Sequence, residues 1–396
     1  MMSPRSTAGH RLGRAGALLT LVVLVAACST PRGTVNRSLA SAAPTVTTAP
    51  LPACVPASQV MLPPGGARAA DPIWTIASGL NRPDDLLVSD GTLLVAVLGT
   101  GSIEALSPGL PPTALAGHVQ TIEGMVYLGG NLYVAGQAQD AIYELTAGQA
   151  RLVLQLNPVP GQDGVDGIAA ADGMLIVPDS PRGVIDWVDP STGRITKQVG
   201  GMVRPTGVFV TPGGSLLVAD EYGNAALELA PDGSRTYLVR GLPIVDDIAQ
   251  DSQGNVFVVT PVITGGRLVQ IAPGPLKDLA DGLLAPQGLA VDGADNLYFS
   301  EEDAGRVDLV IRTFKLVPLR PVRDSASQPV CVDVVRAPGF DAPITLLSSP
   351  GVTVVTQPGL GNQAAVLVSG CVTTPCALTA VSGTWHDVLS LQAQGT

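Results

Sequence analysis

A motif with a period of about 40 residues recurs six times along the chain and constrains its fold more than any other feature. Each copy has an apolar strand that begins at Gly or Asp, a turn rich in Gly, Asp and Asn, and a second strand of the Leu-Tyr-Val-Ala type. The Gly or Asp, which we use as the register mark, falls at Asp85, Gly124, Gly167, Gly207, Asp247 and Gly288. This period is that of a four-stranded propeller blade. The sequence therefore predicts an all-β fold, a six-bladed β-propeller of four-stranded blades, rather than a β-sandwich, whose irregular strands would not hold the register.

The third and fourth strands of each blade can also be read from the sequence. Third strands such as Arg306 to Val310 alternate apolar with polar residues, as a half-buried strand does. The segment from Trp74 to Leu80 reads like the outer strand of a blade, yet no blade precedes it. We expect it to complete blade six, because pairing the two chain ends closes the ring and removes exposed strand edges.

The amino-acid composition favours short strands and limits the classes of binding partner that the chain can have. Among the 396 residues are 46 Gly and 34 Pro, and only 14% are charged, which favours frequent turns over long helices. The 33 Asp and Glu outnumber the 22 Lys and Arg, giving a net charge of −11. A nucleic-acid partner requires a basic surface to neutralise phosphates, so the balance fits cations or neutral solutes better.

The N-terminus predicts export and a lipid anchor. Arg5, Arg11 and Arg14 precede an apolar run, residues 15–27, that is too short to span a bilayer comfortably. The run ends in Val25-Ala26-Ala27-Cys28, which resembles the bacterial lipobox, whose Cys is lipidated; a plain secretory signal is the alternative. We expect the protein to be located at the extracytoplasmic face of the cell membrane and to be held there through the lipid alone.

Four regions follow from these patterns. We predict a lipoprotein signal peptide at 1–27, a Ser/Thr/Pro-rich tether at 28–70, the propeller at 71–322 and a small β-rich C-terminal region at 323–396. The last region has short β-type runs broken by Pro-Gly turns. We expect it to form a small β unit, partly a sandwich, that packs on the propeller or contacts a partner.

The four remaining cysteines predict two disulfides in an exported chain. Cys371 and Cys376 flank a short loop and are expected to pair. Cys54 and Cys331 lie on either side of the propeller, where a bridge would staple the closed ring.

The repeat resembles that of known propellers. Leu284-Ala-Pro-Gln-Gly-Leu-Ala-Val-Asp and Arg204-Pro-Thr-Gly-Val-Phe-Val are similar to the repeats of NHL propellers and of the gluconolactonase-like (SMP-30) and streptogramin-lyase-like groups, over roughly residues 72 to 315. The resemblance implies fold more than function, because propellers host catalysts, receptors and scaffolds alike.

The gluconolactonase-like resemblance implies a divalent metal at the channel mouth, with ligands from the residue just before the register mark. That position holds the six residues that we call the ring residues: Asp84, Glu123, Asp166, Thr206, Asp246 and Gln287. Carboxylates that converge without a cation raise one another's pKa, and hard oxygen ligands suit Ca²⁺ or Mg²⁺. The four acidic ring residues are therefore the metal-ligand candidates, although polar residues before a strand also cap turns.

The loop after each second strand returns to the same face and adds candidates. We predict Thr206, Gln287, Asp220, Glu221 and Glu301 as ligand-binding residues. Tyr222 and Asp179 also lie in these loops, and for Asp179 and Asp220 taken individually a turn-stabilising role is favoured.

Three functions remain open. In the first, the protein binds a small-molecule ligand or an extracytoplasmic protein at its acidic channel face. We expect it to do so as a monomer. The second is a metal-dependent lactonase-like hydrolase in which Asp166 and Asp246 are the catalytic candidates. The third is a protein-interaction scaffold. No His stands among the ring residues, which argues against the acid/base His of the streptogramin lyases.

Overall fold

The computed structural model describes most of the chain after residue 67. The described residues are 68–69, 71–106, 111–116, 118–146, 148–263, 265–318, 330–350, 352–355, 363–368 and 376–391. The predicted signal peptide, Cys28 and nearly all of the tether lie outside them. Within these ranges no helix has the length and apolar character needed to cross a membrane.

Strands make up almost all of the regular structure. Two strands, β1 (Arg68–Ala69) and β2 (Ile73–Ser78), precede the first blade. Blade one contains β3 (Pro83–Ser89), β4 (Thr92–Val97), β5 (Ser102–Leu106) and β6 (Thr113–Ala116). Blade two contains β7 (Ile122–Leu128), β8 (Asn131–Gly136), β9 (Ala141–Thr146) and β10 (Gln149–Gln155). Blade three contains β11 (Ala169–Ala171), β12 (Met174–Asp179), β13 (Val184–Asp189) and β14 (Arg194–Gly200).

The second half of the ring repeats the plan. Blade four contains β15 (Pro205–Val210), β16 (Leu216–Asp220), β17 (Ala225–Leu229) and β18 (Arg235–Arg240). Blade five contains β19 (Ile248–Gln250), β20 (Val256–Thr260), β21 (Gly266–Ala272) and β22 (Lys277–Leu283). Blade six contains β23 (Pro286–Val291), β24 (Leu297–Glu301) and β25 (Arg306–Val310). Two short 3₁₀ turns, Gln137–Gln139 and Ser180–Arg182, follow the second strands of blades two and three.

The two chain ends close the ring. Strand β2 pairs antiparallel with β25, so Ile73 lies opposite Val310 and Ser78 opposite Arg306. The six-bladed β-propeller of four-stranded blades is confirmed by these sheets, and so is the prediction that residues near Trp74 complete blade six. The short β1 adds a fifth strand to the outer edge of blade five. Neighbouring innermost strands contact one another all the way around the channel.

The core lies between the blades, where the apolar second strands are covered on both faces. In β4 every residue from Leu93 to Val97 is buried, and Val95 is fully enclosed. Outer strands such as β14 are mostly exposed, because they form the outer edge of each blade and pair with one strand only.

Glycine recurs at the register mark because the innermost strands approach one another closely there. A Cβ on Gly288 would lie 2.4 Å from the carbonyl oxygen of Asp84, and one on Gly167 would lie 2.7 Å from that of Thr206. Four blades therefore carry glycine at this position, whereas blades one and five carry Asp85 and Asp247.

The C-terminal region forms two further sheets. One contains β26 (Phe314–Pro318), β27 (Val330–Arg336), β29 (Val352–Val355) and β30 (Gln363–Val368), and the other contains β28 (Thr345–Ser348), β31 (Cys376–Ser382) and β32 (Trp385–Leu391). Their shared core includes Phe314, Leu316, Val332, Leu378 and Leu389, as in a small sandwich. This sandwich begins before residue 322, because β26 pairs with β27.

The sandwich packs on blade six and blade one at the end where β3 meets β4. The amide of His386 donates to the carbonyl oxygen of Gly293 at 2.9 Å, and Trp385 Nε1 donates to Asp295 Oδ2 at 2.6 Å. Cys376 is buried and disulfide-bonded. Its predicted pairing with Cys371 lies outside the described residues, as does Cys54, so both pairings stay predictions.

Candidate functional site

The ring residues stand where the innermost strands begin and line the mouth of the central channel. The carboxylates of Asp84, Glu123, Asp166 and Asp246 all border the same opening, together with Gln287. Thr206 belongs to the ring but turns away, since its hydroxyl is buried and donates to the carbonyl oxygen of Asp246 at 2.6 Å.

The mouth is a cavity of about 230 Å³ with a strongly acidic lining. Seven carboxylic acids and two arginines line it: Asp84, Glu123, Asp163, Asp166, Glu221, Asp246 and Glu302, with Arg82 and Arg204. Below it the channel narrows to a compartment of about 20 Å³, lined also by Asp85 and Asp247. A space of this size holds about one water molecule. The mouth can therefore admit a small ligand, whereas the narrow compartment cannot.

Arg204 is the central cation of the mouth. Its side chain is only 8% exposed and lies between Asp166, at 3.0 Å, and Glu221, at 2.6 Å. Burial lowers the pKa of Arg204, but the charges of Asp166 and Glu221 outweigh it and raise the pKa overall. The guanidinium therefore stays charged and neutralises part of the ring from within. Tyr222 covers it, with the ring centroid 5.5 Å from the guanidinium carbon.

Other polar groups hold the rest of the mouth in place. Arg82 Nε donates to Glu302 Oε1 at 2.5 Å, and Gln287 Nε2 donates to Glu302 Oε2 at 2.9 Å. Gln137 Nε2 donates to Glu123. Among the described contacts, no side-chain donor serves the carboxylates of Asp84 and Asp246. Two ring acids thus face the cavity without a partner from the described residues.

In blades four and six, the second strand ends in an acidic residue and a second acidic residue follows it, and the two have different roles. Asp220 and Glu301 are buried at the ends of β16 and β24 and accept backbone amides, from Arg204 at 2.8 Å and from Leu284 at 2.5 Å. The next residues, Glu221 and Glu302, point into the mouth. Of the predicted ligand-binding residues, the structure thus brings Glu221 and Gln287 to the mouth, while Asp220, Glu301 and Thr206 support its walls.

Burial and mutual repulsion raise the pKa of the ring acids. For Asp84 and Asp246, desolvation by burial raises the pKa most, and the nearby charge of Asp166 raises it further. Burial also raises the pKa of Glu123 and of Asp166, while Arg204 opposes the rise in both. The mouth therefore holds protons more readily than free carboxyl groups do, and a bound cation would displace them.

The two aspartates at register marks extend the acidity inward. Asp247 accepts the amide of Leu289 in the next blade at 2.8 Å and that of Ile248 at 2.7 Å. Burial nonetheless raises the pKa of Asp247 to about 7. Burial and the charge of Asp247 raise the pKa of Asp85.

The described residues of the mouth add no support for the predicted metal. Within the described residues, no three His, Cys, Asp or Glu side chains form a group that could hold a metal ion. Arg204 instead supplies positive charge beside Asp166, one of the predicted ligands. Ca²⁺ or Mg²⁺ stays a prediction, and we derive no hydrolytic step through such an ion.

The sequence analysis did not identify several residues of the site, although the repeat pattern marks most of them. Asp85 and Asp247 stand where the other blades have glycine, and that departure from the repeat marks them. Arg82 and Arg204 share a place in the repeat, immediately before a proline and two residues before a ring residue. Gln137 follows a second strand and had no such signal.

Comparisons with known proteins find distant structural likenesses and no family. No protein-family model matches the chain, and no curated protein matches it. Among solved structures, a gluconolactonase from Xanthomonas campestris is similar at 15% identity over 65% of this chain and 98% of that chain, with a TM-score of 0.47. A luciferin-regenerating enzyme matches at 12% identity over 61% and 95%, with a TM-score of 0.48. Virginiamycin B lyase from Staphylococcus aureus matches at 12% identity over 74% and 98%, with a TM-score of 0.45. The propeller assignment stands on the sheet topology described above.

Proposed function

We propose that this chain is a binding propeller that takes up a small organic cation at the acidic mouth of its channel. One observation carries the proposal: seven carboxylic acids and two arginines line a single cavity of about 230 Å³. A low-dielectric cleft lined by one sign of charge concentrates ligands of the opposite sign.

The pairing within the mouth favours an ammonium or amidinium ligand. Arg204 already serves Asp166 and Glu221, and Arg82 serves Glu302. The carboxylates that line the mouth without an arginine partner among the described residues are those of Asp84, Glu123, Asp163 and Asp246. An organic cation carries several N–H donors and fits a cavity wider than a bare ion needs. A diamine or polyamine would let one ligand meet more than one carboxylate.

The anchor forms part of the same proposal. The basic leader, the short apolar run and Cys28 support an exported lipoprotein held at the extracytoplasmic face of the membrane, and we propose that it is a monomer there. Such a protein would meet its ligand outside the cytoplasm. Mass spectrometry of the protein purified from membranes tests the lipidation. We expect the added mass of the lipid on the native protein and its absence from Cys28→Ala.

Calorimetric titration with spermidine tests the binding site. We expect heat of binding at pH 8, and a loss of at least ten-fold in affinity in Asp84→Asn/Asp246→Asn. Asp232→Asn removes one charge from an exposed turn and serves as the control for net charge. Affinity should fall from pH 8 to pH 5, because protons compete for carboxyls whose pKa is raised.

Titrations with Ca²⁺, Mg²⁺ and glutamate define the class of ligand. Preference for spermidine over both metals and over glutamate supports the proposal. Binding of Ca²⁺ or Mg²⁺ alone would instead support the metal site of the lactonase-like alternative. Equal affinity of spermidine for the double variant and the native protein would place the ligand elsewhere and refute the proposal.

A further inference from the structure

Four exposed apolar side chains lie on the face of the propeller that contains the acidic mouth. We call them the half-rim: Val203, Tyr222, Ile263 and Leu284, which are 61%, 61%, 100% and 54% exposed. Two of them lie in loops just before an innermost strand, and two lie in loops just after a second strand. Both kinds of loop open on the face where the ring residues stand. The half-rim and the mouth therefore share one surface.

The half-rim is confined to blades four, five and six. In the corresponding loops of blades one to three, as far as the structure describes them, no large apolar side chain is exposed. Leu80, Leu98 and Val119 lie in those loops but are partly or fully buried. Exposed apolar residues elsewhere, such as Leu115 and Leu152, lie singly on outer strands, as on most protein surfaces. A one-sided group beside a cavity instead marks a surface that another molecule covers.

Tyr222 connects the half-rim to the mouth. Its ring lines the cavity and covers the guanidinium of Arg204, yet more than half of the side chain is exposed. Pro261, in the same loop as Ile263, lines the cavity as well. The cavity, at about 230 Å³, is smaller than the pockets of about 300–1,000 Å³ that enclose a whole drug-sized ligand. A larger partner can therefore place one side chain in the mouth while the rest of it lies on the half-rim.

The charge of the mouth selects the kind of molecule that covers the half-rim. A second copy of this chain, joined face to face by a two-fold axis, would bring two acidic mouths together. Anionic lipid headgroups attract basic protein surfaces and would be repelled here. A basic side chain is attracted, because the carboxylates of Asp84 and Asp246 line the mouth without an arginine partner among the described residues.

We infer that the mouth and the half-rim together form a docking surface for an extracytoplasmic protein. The partner inserts one Lys or Arg side chain into the mouth and packs the apolar neighbours of that residue on the half-rim. The inference rests on the proposed function, because the inserted side chain is the organic cation of the same site. Apolar burial on the half-rim supplies affinity that a free cation lacks, and the ionic contact fixes the orientation.

Selection of a phage-displayed library of random, disulfide-constrained peptides on the full chain tests this surface. We expect the enriched peptides to carry Lys or Arg beside Leu, Phe or Trp, and to be displaced by spermidine. Enriched peptides that lack a basic residue, or that stay bound in saturating spermidine, would overturn the docking surface. No enrichment over an uncoated support would overturn it too, whereas spermidine binding in calorimetry would still uphold the acidic mouth. Failure of spermidine itself to bind would refute the proposed function.

Removing the half-rim without changing the mouth separates the two surfaces. Ile263→Ser/Leu284→Ser shortens two exposed side chains that are outside the described lining of the mouth. This variant should bind the enriched peptides at least ten-fold more weakly and spermidine as tightly as the native chain does. Leu115→Ser/Leu152→Ser is the matched control, because these leucines are 47% and 49% exposed on outer strands. Unchanged peptide affinity in the first variant, or an equal loss in the control, would refute the inference.

A dye attached through Ile263→Cys distinguishes a protein partner from a membrane. In phosphatidylcholine vesicles that carry the lipidated full chain, we expect the emission of a dye in water, shifted to the blue when an enriched peptide is added. A blue-shifted emission before any peptide is added would assign the half-rim to the membrane. Dimers in sedimentation of the full chain, abolished by Ile263→Ser/Leu284→Ser, would assign it to a second copy. Either result would overturn the inference.

Discussion

Replacing Asp247 by Asn should change the stability of the propeller in a direction that depends on pH. In the native protein, burial raises the pKa of this carboxyl from 3.8 to about 7. The unfolded chain then loses its proton at lower pH than the folded chain does. A group with this shift stabilises the folded state most at low pH, and the stabilisation declines as the pH rises toward 7. Asn carries no titrating proton and removes this dependence.

The size of the effect follows from the shift. Between pH 5 and pH 7 the unfolded carboxyl is largely ionised, whereas the folded one is protonated at pH 5 and about half ionised at pH 7. Native stability therefore falls by about 1.4 kcal/mol per pH unit at first, and by about 2.3 kcal/mol in all. Asp247 keeps part of its surface exposed to the channel, so solvent screening makes this an upper value. Asn also gives up one of the two accepted amides, of Ile248 or Leu289, at a cost of about 1–3 kcal/mol. We therefore expect Asp247→Asn to be less stable than the native protein at pH 5 and equal or more stable at pH 8.

Urea unfolding of both proteins at pH 5 and pH 8 measures the difference. The free energy of unfolding of the variant, relative to the native protein, should rise by about 2–3 kcal/mol between the two pH values. Asp232→Asn is the control, because Asp232 is exposed and its pKa is lowered by the hydroxyl and amide of Ser234, so it stays ionised in this range. A relative free energy that stays constant within about 0.5 kcal/mol would show that Asp247 ionises normally and would refute the reasoning.

Three further substitutions test the ring and its closure. Arg204→Gln leaves two partly buried carboxylates without their cation and should cost about 3 kcal/mol, the low end for breaking a buried pair, at pH 8 but less at pH 5, where protonation relieves them, as measured by urea unfolding. Ile73→Ala truncates a buried side chain of the closing strand and should cost about 2–5 kcal/mol, whereas Leu115→Ala in an exposed outer strand should cost under about 0.5 kcal/mol; equal costs would contradict the closure. Gly288→Ala places a methyl group 2.4 Å from a backbone oxygen and should lower stability by about 1–3 kcal/mol, while Gly213→Ala, with its nearest atom at 3.8 Å, should be tolerated in the same thermal unfolding assay.

The repeat predicted the fold because each blade carries its own local signals. The register marks at Gly124, Gly167 and Gly207 lie where neighbouring strands come too close for a side chain, so packing itself imposes the period. The end of the propeller was harder to locate. Residues near Phe314 continue the β pattern without a break, yet they pair with β27 in the sandwich, a long-range choice that local periodicity does not encode.

The site was predictable in position but not in detail. The repeat placed the acids of the ring at one opening, since every innermost strand begins there. Which of two successive acids faces the cavity depends on the alternation of side chains at the strand end, and this puts Glu302 rather than Glu301 in the mouth. Arg204 escaped prediction because its importance arises from partners in different loops, Asp166 and Glu221, brought together only by the closed ring.

The pairing of β2 with β25 sets the order in which the molecule can be completed. Strand β2 leaves the ribosome before any blade, and its partner β25 is among the last propeller strands to be made. Until then the edge of β2 and the last blades remain open, so a chain stopped short of Val310 cannot close its ring. Strand pairs so distant in sequence form slowly, because the entropy of closing a long loop is lost before any favourable contact forms. Premature termination or proteolytic cleavage within blade six should therefore leave an incomplete ring with exposed, aggregation-prone strand edges rather than a smaller propeller.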